Sequence, residues 1–182
     1  TNWLTFSSVN NIKFQLYNSK AYTDPRSSSG EGVNGRIQEY YSDMLRRYTN
    51  QLLRFNKNFD KHFINGIIAY EFNDYTGRSV TAIGTGFVPG FEILDVTAKP
   101  ESTKGGVSQW AVQSMFTNFN YDYDGRYMAQ LSLRRDGASN FGDEAKYGNF
   151  FSISGGWNIH KEAFFKSDFI NELKLRASYG SV

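Results

Sequence analysis

RYMAQLSLRRD, residues 126–136, is the stretch that decides the fold. Tyr127, Ala129, Leu131 and Leu133 share one parity, while Met128, Gln130, Ser132, Arg134 and Asp136 share the other. Successive side chains of a strand point to opposite faces, so a period of two predicts a strand between two unlike surroundings. GNFFSISGGWNI at 148–159 repeats the pattern, with Phe151, Ile153, Trp157 and Ile159 opposing Ser152, Ser154, Gly156 and Asn158. It returns at 171–180, where Leu173, Leu175, Ala177 and Tyr179 oppose Lys174, Arg176 and Ser178.

The alternation weakens upstream but persists. At 107–121 Met115, Thr117, Phe119 and Tyr121 alternate with Asn118 and Asn120; at 62–73 Ile64, Ile68, Tyr70 and Phe72 oppose Asn65, Ala69 and Glu71. Residues 46–57 alternate through Leu53 and Phe55, and 3–17 through Leu4, Phe6, Ile12, Phe14 and Leu16. These segments make seven strands, antiparallel if hairpins join them. Short turns are expected at 58–61 and 122–125, a moderate one at 160–170, and long loops at 18–45, 74–106 and 137–147. Tight turns on one side and long loops on the other are the habit of a transmembrane barrel, whose strands need only ~9–11 residues to cross. The polar faces support this. A soluble sandwich wets one face and charges it, whereas these strands carry Ser, Gly, Asn and Gln. Tyr121, Tyr123, Tyr127 and Trp157 gather near strand ends, as an interfacial girdle requires. On pattern alone, an aggregation-prone soluble edge is the alternative.

Composition agrees with strands. Aromatics are 17% of the 182 residues, with 12 Tyr and 16 Phe, yet the mean hydropathy is −0.53. Twenty basic residues are mixed with 18 acidic ones for a net charge of +2, with no basic stripe for nucleic acid. Cysteine is absent, which removes disulfides and cysteine metal sites. No apolar run reaches the ~20 residues of a membrane helix, which says nothing about a barrel. No signal peptide is visible, so an exported protein here is read as a mature chain or an internal piece.

No residue pattern points to catalysis, a metal or a cofactor, and the chain is read as a non-enzyme. His62 and His160 are expected as solvated turn residues. Asp122-Tyr123-Asp124-Gly125 lacks the further ligands and distal Glu of a calcium loop, so it reads as a tight turn. GTGFVPG at 84–90 has no Lys-Ser/Thr and is no phosphate loop. Arg134 is expected in the lumen and Arg135 on the outer rim, where lipid phosphate is within reach. Lys174 and Arg176 point inward, toward water or the carboxylates of whatever fills the lumen. The loop aromatics Tyr22, Phe87 and Phe91 are the candidates for contact with a sugar-like substrate, and the loop 74–106, with its apolar stretch at 84–94, for a contact surface outside the cell.

FNYDYDGRYMAQLSLRRDGASNFG (119–142), KYGNFFSISGGWNIHKEAFF (146–165) and INELKLRASYG (170–180) together resemble the barrel of SusC/RagA-type TonB-linked outer-membrane proteins. A Tyr-rich turn, a strand ending Arg-Arg-Asp-Gly, a Phe-Gly loop, a Gly-Trp strand and a Leu-Lys-Leu-Arg-Ala-Ser-Tyr-Gly strand follow in the family's order. The stretches 47–57, 62–72 and 84–87 are similar but weaker. The resemblance implies an all-β, antiparallel transmembrane barrel segment, residues 1–182 being part of a plugged barrel of about 22 strands. The plug, the TonB-contacting segment and the other strands are not in this sequence, nor does Val182 supply a terminal aromatic. It further implies an outer-membrane location and import of an oligosaccharide or peptide. The implied partners are a SusD-like lipoprotein, the TonB complex through the plug, and lipopolysaccharide. A secreted β-rich adhesin or carbohydrate-binding module, and a passive porin, are the competing functions.

Overall fold

A computed structural model describes residues 3–88, 90–142, 146–167 and 169–181. Pro89 of the 84–90 segment, and Val182, lie outside the described residues. Seven strands form one sheet in sequence order: β1 (Leu4–Thr23), β2 (Arg36–Phe59), β3 (His62–Thr85), β4 (Lys99–Tyr123), β5 (Tyr127–Ala138), β6 (Tyr147–Asn158) and β7 (Lys174–Ser181). The expected all-β antiparallel architecture is present, as a seven-stranded meander.

The chain divides into two compact units. Residues 1–11, 48–73 and 111–182 form the first; 12–47 and 74–110 form the second. In the first unit the register of β4–β7 converts the sequence parity into two faces. Phe119, Leu131, Ile153 and Tyr179 stand in one cross-strand row, and Thr117, Leu133, Phe151 and Ser181 in the next. The opposite face carries the row Asn120, Gln130, Ser154, Ser178 and the row Asn118, Ser132, Ser152, Gly180.

No water-soluble core covers the apolar rows. Among the described hydrophobic residues only Ile37, Ala69 and Phe87 are buried, while Leu133, Ile153, Leu175 and Tyr179 are 45%, 53%, 60% and 71% exposed. A contiguous apolar face of that kind needs another solvent, and lipid is the one that suits a sheet with every strand paired in sequence order. Twelve-residue strands such as β5 and β6 are about 40 Å long, and a 35–45° tilt still lets them cross the apolar band of about 25 Å.

Strands β1–β4 are far longer than the sequence predicts. The expected loops at 18–45 and 74–106 are mostly strand, and the connections that remain are 24–35 and 86–98. The reason is physical. Alternation shows only where the two faces differ, and residues 36–47 or 99–106 carry polar groups on both parities. In the second unit cross-strand ion pairs take over: Arg47 with Asp74, and Arg36 bidentate to Glu101 at 2.8 and 2.7 Å. Pro100 is tolerated in β4 because β5 pairs only with residues 112–123, which leaves one side of β4 free at its start.

Glycine serves the sheet where a large ring must cross it. A Cβ on Gly66 would lie 2.5 Å from the Phe55 ring, and Phe55 reaches across to Phe119 at 6.1 Å between centroids. Gly137 is likewise covered by the ring of Tyr147, its partner in the β5–β6 register.

Candidate functional site

The short-turn end of the first unit is a stapled rim. Asp60, at φ 51°, turns β2 into β3, and Asp124 and Gly125, at 56° and 63°, turn β4 into β5. The expected Gly-driven turn at 122–125 is therefore shared between a glycine and an aspartate. The Asp122 carboxylate accepts from the Gly125 N–H at 2.7 Å, and the Asp124 N–H donates to the Lys61 carbonyl at 2.7 Å. Arg126 pairs with Asp124 at 2.8 Å and with Glu162 at 3.5 Å; Lys61 reaches Asp124 at 3.4 Å. Asn158 closes the third turn by donating to the Gly125 carbonyl at 2.6 Å. Arg126 and Asp124 together thus tie the two tight turns to the β6–β7 connection.

Above it runs an aromatic ladder. Phe59 stacks on His62 at 5.1 Å, His62 leans on Tyr123 at 4.9 Å, and Tyr127 lies 6.3 Å from Tyr123 and 6.4 Å from Trp157. Trp157 then meets Phe164 edge-on and donates its indole N–H to Glu162 at 2.9 Å. His62 is not the solvated turn residue expected: it is a rung of the ladder, with Nδ1 2.7 Å from the Tyr121 hydroxyl. His160 instead bonds locally with the Leu173 backbone. The hydrogen bond from Arg126 holds the Asp124 carboxyl below its ordinary value, and those from Tyr127 and Trp157 do the same for Glu162. A depressed carboxylate stabilises above its unfolded pKa and loses that contribution as pH falls through the folded one. Arg126→Ala in the full-length protein should accordingly lower the heat-unfolding temperature by a few degrees at neutral pH. The gap to the parent should narrow as pH falls below about 4 and close once the parent's own depressed carboxyls take up their protons.

The polar face of the same unit forms a shallow hollow. Asn65, Asn120, Gln130 and Ser154 line it, with Asp122 at one end and Lys174 and Arg176 at the side. Asn120 donates to the amide oxygens of Asn65 and Asn118 at 3.0 and 2.7 Å, which fixes its orientation across β3 and β4. Amides, hydroxyls and two cations make a surface suited to hydrogen-bonding another polar body and to pairing its carboxylates. Arg134 is already engaged, by Asp136 at 2.6 Å and the Phe116 ring at 5.4 Å.

In the second unit the long connections dock on each other. The Phe87 N–H donates to the Asn34 carbonyl at 3.1 Å, the Gly86 N–H to the Gly35 carbonyl at 3.2 Å, and the Ala98 N–H back to the Gly86 carbonyl at 2.7 Å. The Phe87 ring lies 5.4 Å from Tyr22, and a Cβ on Gly35 would sit 2.6 Å from it. Two of the three sequence candidates therefore meet, but Phe87 is only 3% exposed and is spent holding the loops together. Phe91 is 59% exposed. At the start of the first connection, Arg26 grips the Asp24 carboxylate through two nitrogens and its own N–H, which lowers that carboxyl to about 2. Sequence reasoning missed this pair and the Arg126 staple; the Asp-Pro-Arg and Asp-Gly-Arg triplets are their only trace.

Among the described residues no group of three or more His, Cys, Asp or Glu side chains is placed to hold a metal ion. A search of family profiles finds no match to the chain. Among curated proteins, TonB-dependent receptor P39 of Formosa agariphila is 33% identical over 81% of this chain and 14% of its own length. P3 of the same organism is 31% identical over 84% and 16%. TonB-dependent receptor SusC of Bacteroides thetaiotaomicron is 37% identical over 37% of the chain and 7% of SusC. The chain belongs to the TonB-dependent receptors of the SusC/RagA type. It spans about a sixth or less of the length of these relatives. The solved RagAB peptide transporter matches 99% of the chain at a TM-score of 0.76 and 21% identity, covering 21% of that protein, which fixes the barrel fold. As a barrel of this family, the sheet resides in the outer membrane.

Proposed function

We propose that the chain is wall of an importer that draws an oligosaccharide or peptide across the outer membrane, capped by a SusD-like lipoprotein and driven through a plug by the TonB complex. The two-faced sheet carries this reading: apolar rows toward lipid, and an amide- and hydroxyl-rich face toward the lumen where Lys174 and Arg176 present positive charge to plug carboxylates. By the barrel rule the short turns face the periplasm and the 24–35 and 86–98 connections face outward, where lid and substrate arrive. Tyr22 and Phe91 are the aromatics there that retain exposed surface for a sugar ring. The wall performs no covalent chemistry; its work is rigidity and contact.

Uptake of labelled oligosaccharide or peptide by cells carrying the full-length protein, with and without a working TonB, is the test. Import lost on removing TonB is the expected result. Import indifferent to TonB identifies a passive porin, and surface binding without import identifies an adhesin. Purified protein is expected to leave glycan and peptide intact, and metal-independent turnover would overturn the non-catalytic reading.

A further inference from the structure

We infer that the outward face of β3–β6 holds a phosphorylated, acylated glycolipid of the outer leaflet, its phosphate on Arg135 and its chains along an apolar groove below. This deepens the partner side of the proposed function and rests on its placement of the long connections outside. Arg135 faces the same way as Leu131 and Leu133, in one row with Met115 and Asn149. Among the described residues its one ring contact is Tyr147, 4.6 Å from the guanidinium to the ring centroid, and no ion pair engages it. Its neighbour Arg134, pointing the other way, is paired with Asp136.

Height gives the arginine its meaning. Eight residues of β5 separate it from Tyr127 on the aromatic ladder, about 27 Å along the strand and about 20 Å across the bilayer at the usual tilt. That is just inside the second interface of an apolar band about 25 Å tall. The next row out holds Gln113, Gly137 and Tyr147, with the Gln113 amide donating to the Tyr147 hydroxyl at 2.9 Å. Lys146 lines the hollow beside that row. Toward the membrane centre, Ile68, Leu133 and Phe151 wall a groove that begins at the row of Met115, Arg135 and Asn149. A guanidinium at headgroup depth resting on the Tyr147 ring, with an amide and a phenol at hand and an apolar track beneath, is complementary to a phosphate carried on fatty chains. Guanidinium pairs with phosphate through two parallel hydrogen bonds, which lysine lacks.

The experiment is native mass spectrometry of the full-length protein extracted from outer membranes in mild detergent, quantifying retained lipid A and phospholipid. Arg135→Leu keeps the face apolar, so assembly should survive; retained lipid A should fall about tenfold. Arg135→Lys should retain an intermediate amount, and Ser132→Ala, on the other face, the parental amount. Equal lipid A on the parent and Arg135→Leu overturns the site, and retention of phospholipid in place of lipid A overturns the occupant. Failure of the topology is read separately. A cysteine at Asn140 should label on intact cells, and labelling only after the periplasm is opened removes the outside placement whatever lipid is bound.

Discussion

Arg in place of Leu131 should all but abolish the folded full-length protein in the outer membrane, while Arg in place of Ser132, one residue away, should leave its abundance within about twofold. Leu131 stands between Phe119 and Ile153, four residues from the aromatic ladder and four from Arg135, so it lies near the midplane of the apolar band. A basic side chain there costs ~2–4 kcal/mol, roughly a 30-fold or larger shift against the folded barrel. It is too deep for the new guanidinium to reach either headgroup layer. Ser132 sits between Asn118 and Ser152 on the polar face, where an arginine meets water and amides. Quantitative blotting of heat-modifiable barrel in isolated outer membranes reads both variants. Tolerance of Leu131→Arg with loss of Ser132→Arg would reverse the faces, and equal tolerance of both would remove lipid from the account.

What the sequence made legible follows from the same contrast. Residues 127–138 and 147–158 were readable because lipid demands apolar side chains on one parity and the lumen rejects them. The outer lengths of β1–β4 meet no such demand. Residues 36–47 hold their place through ladders of backbone bonds and pairs such as Arg47 with Asp74, and a pair 27 residues apart in sequence leaves no periodic mark. They looked like loop for that reason. The rim shows the converse case. Tyr123, Tyr127 and Trp157 were visible as aromatics at strand ends, but His62 joins them only because β3 is in register with β4, and register is a tertiary fact. Arg126 was silent because its value lies in joining Asp124 to Glu162, 36 and more residues from Glu162 by chain and adjacent only once β5 and β6 pair. Among the loop candidates, Tyr22, Phe87 and Phe91 are alike as letters. Burial alone separates the ring that binds the loops from the ring left for a partner.

That separation sets the second large effect. Phe87→Ala should free the 24–35 and 86–98 connections from each other while the barrel still assembles. Truncating a buried phenylalanine costs about 3–5 kcal/mol in a packed core, and a small loop cluster with few other buried side chains has little else to hold it. The ring fills the space over Gly35, whose φ of +84° is open to glycine at no steric cost, and it rests on Tyr22. Gly35→Ala should therefore reproduce the phenotype from the other side, since the new methyl would strike the same ring. Limited proteolysis of intact cells is the direct reading: rapid cleavage within 24–35 or 86–98 in both variants, with parental amounts of barrel. Phe91→Ala makes the complementary case. Phe91 is exposed, so protease resistance should stay parental, and any loss of uptake or of lid association would then report lost contact rather than lost structure. Uptake that falls in Phe87→Ala and holds in Phe91→Ala assigns the aromatics a purely architectural role. Uptake that falls in both, with resistance lost only in the first, places Phe91 on the surface that meets substrate or lid.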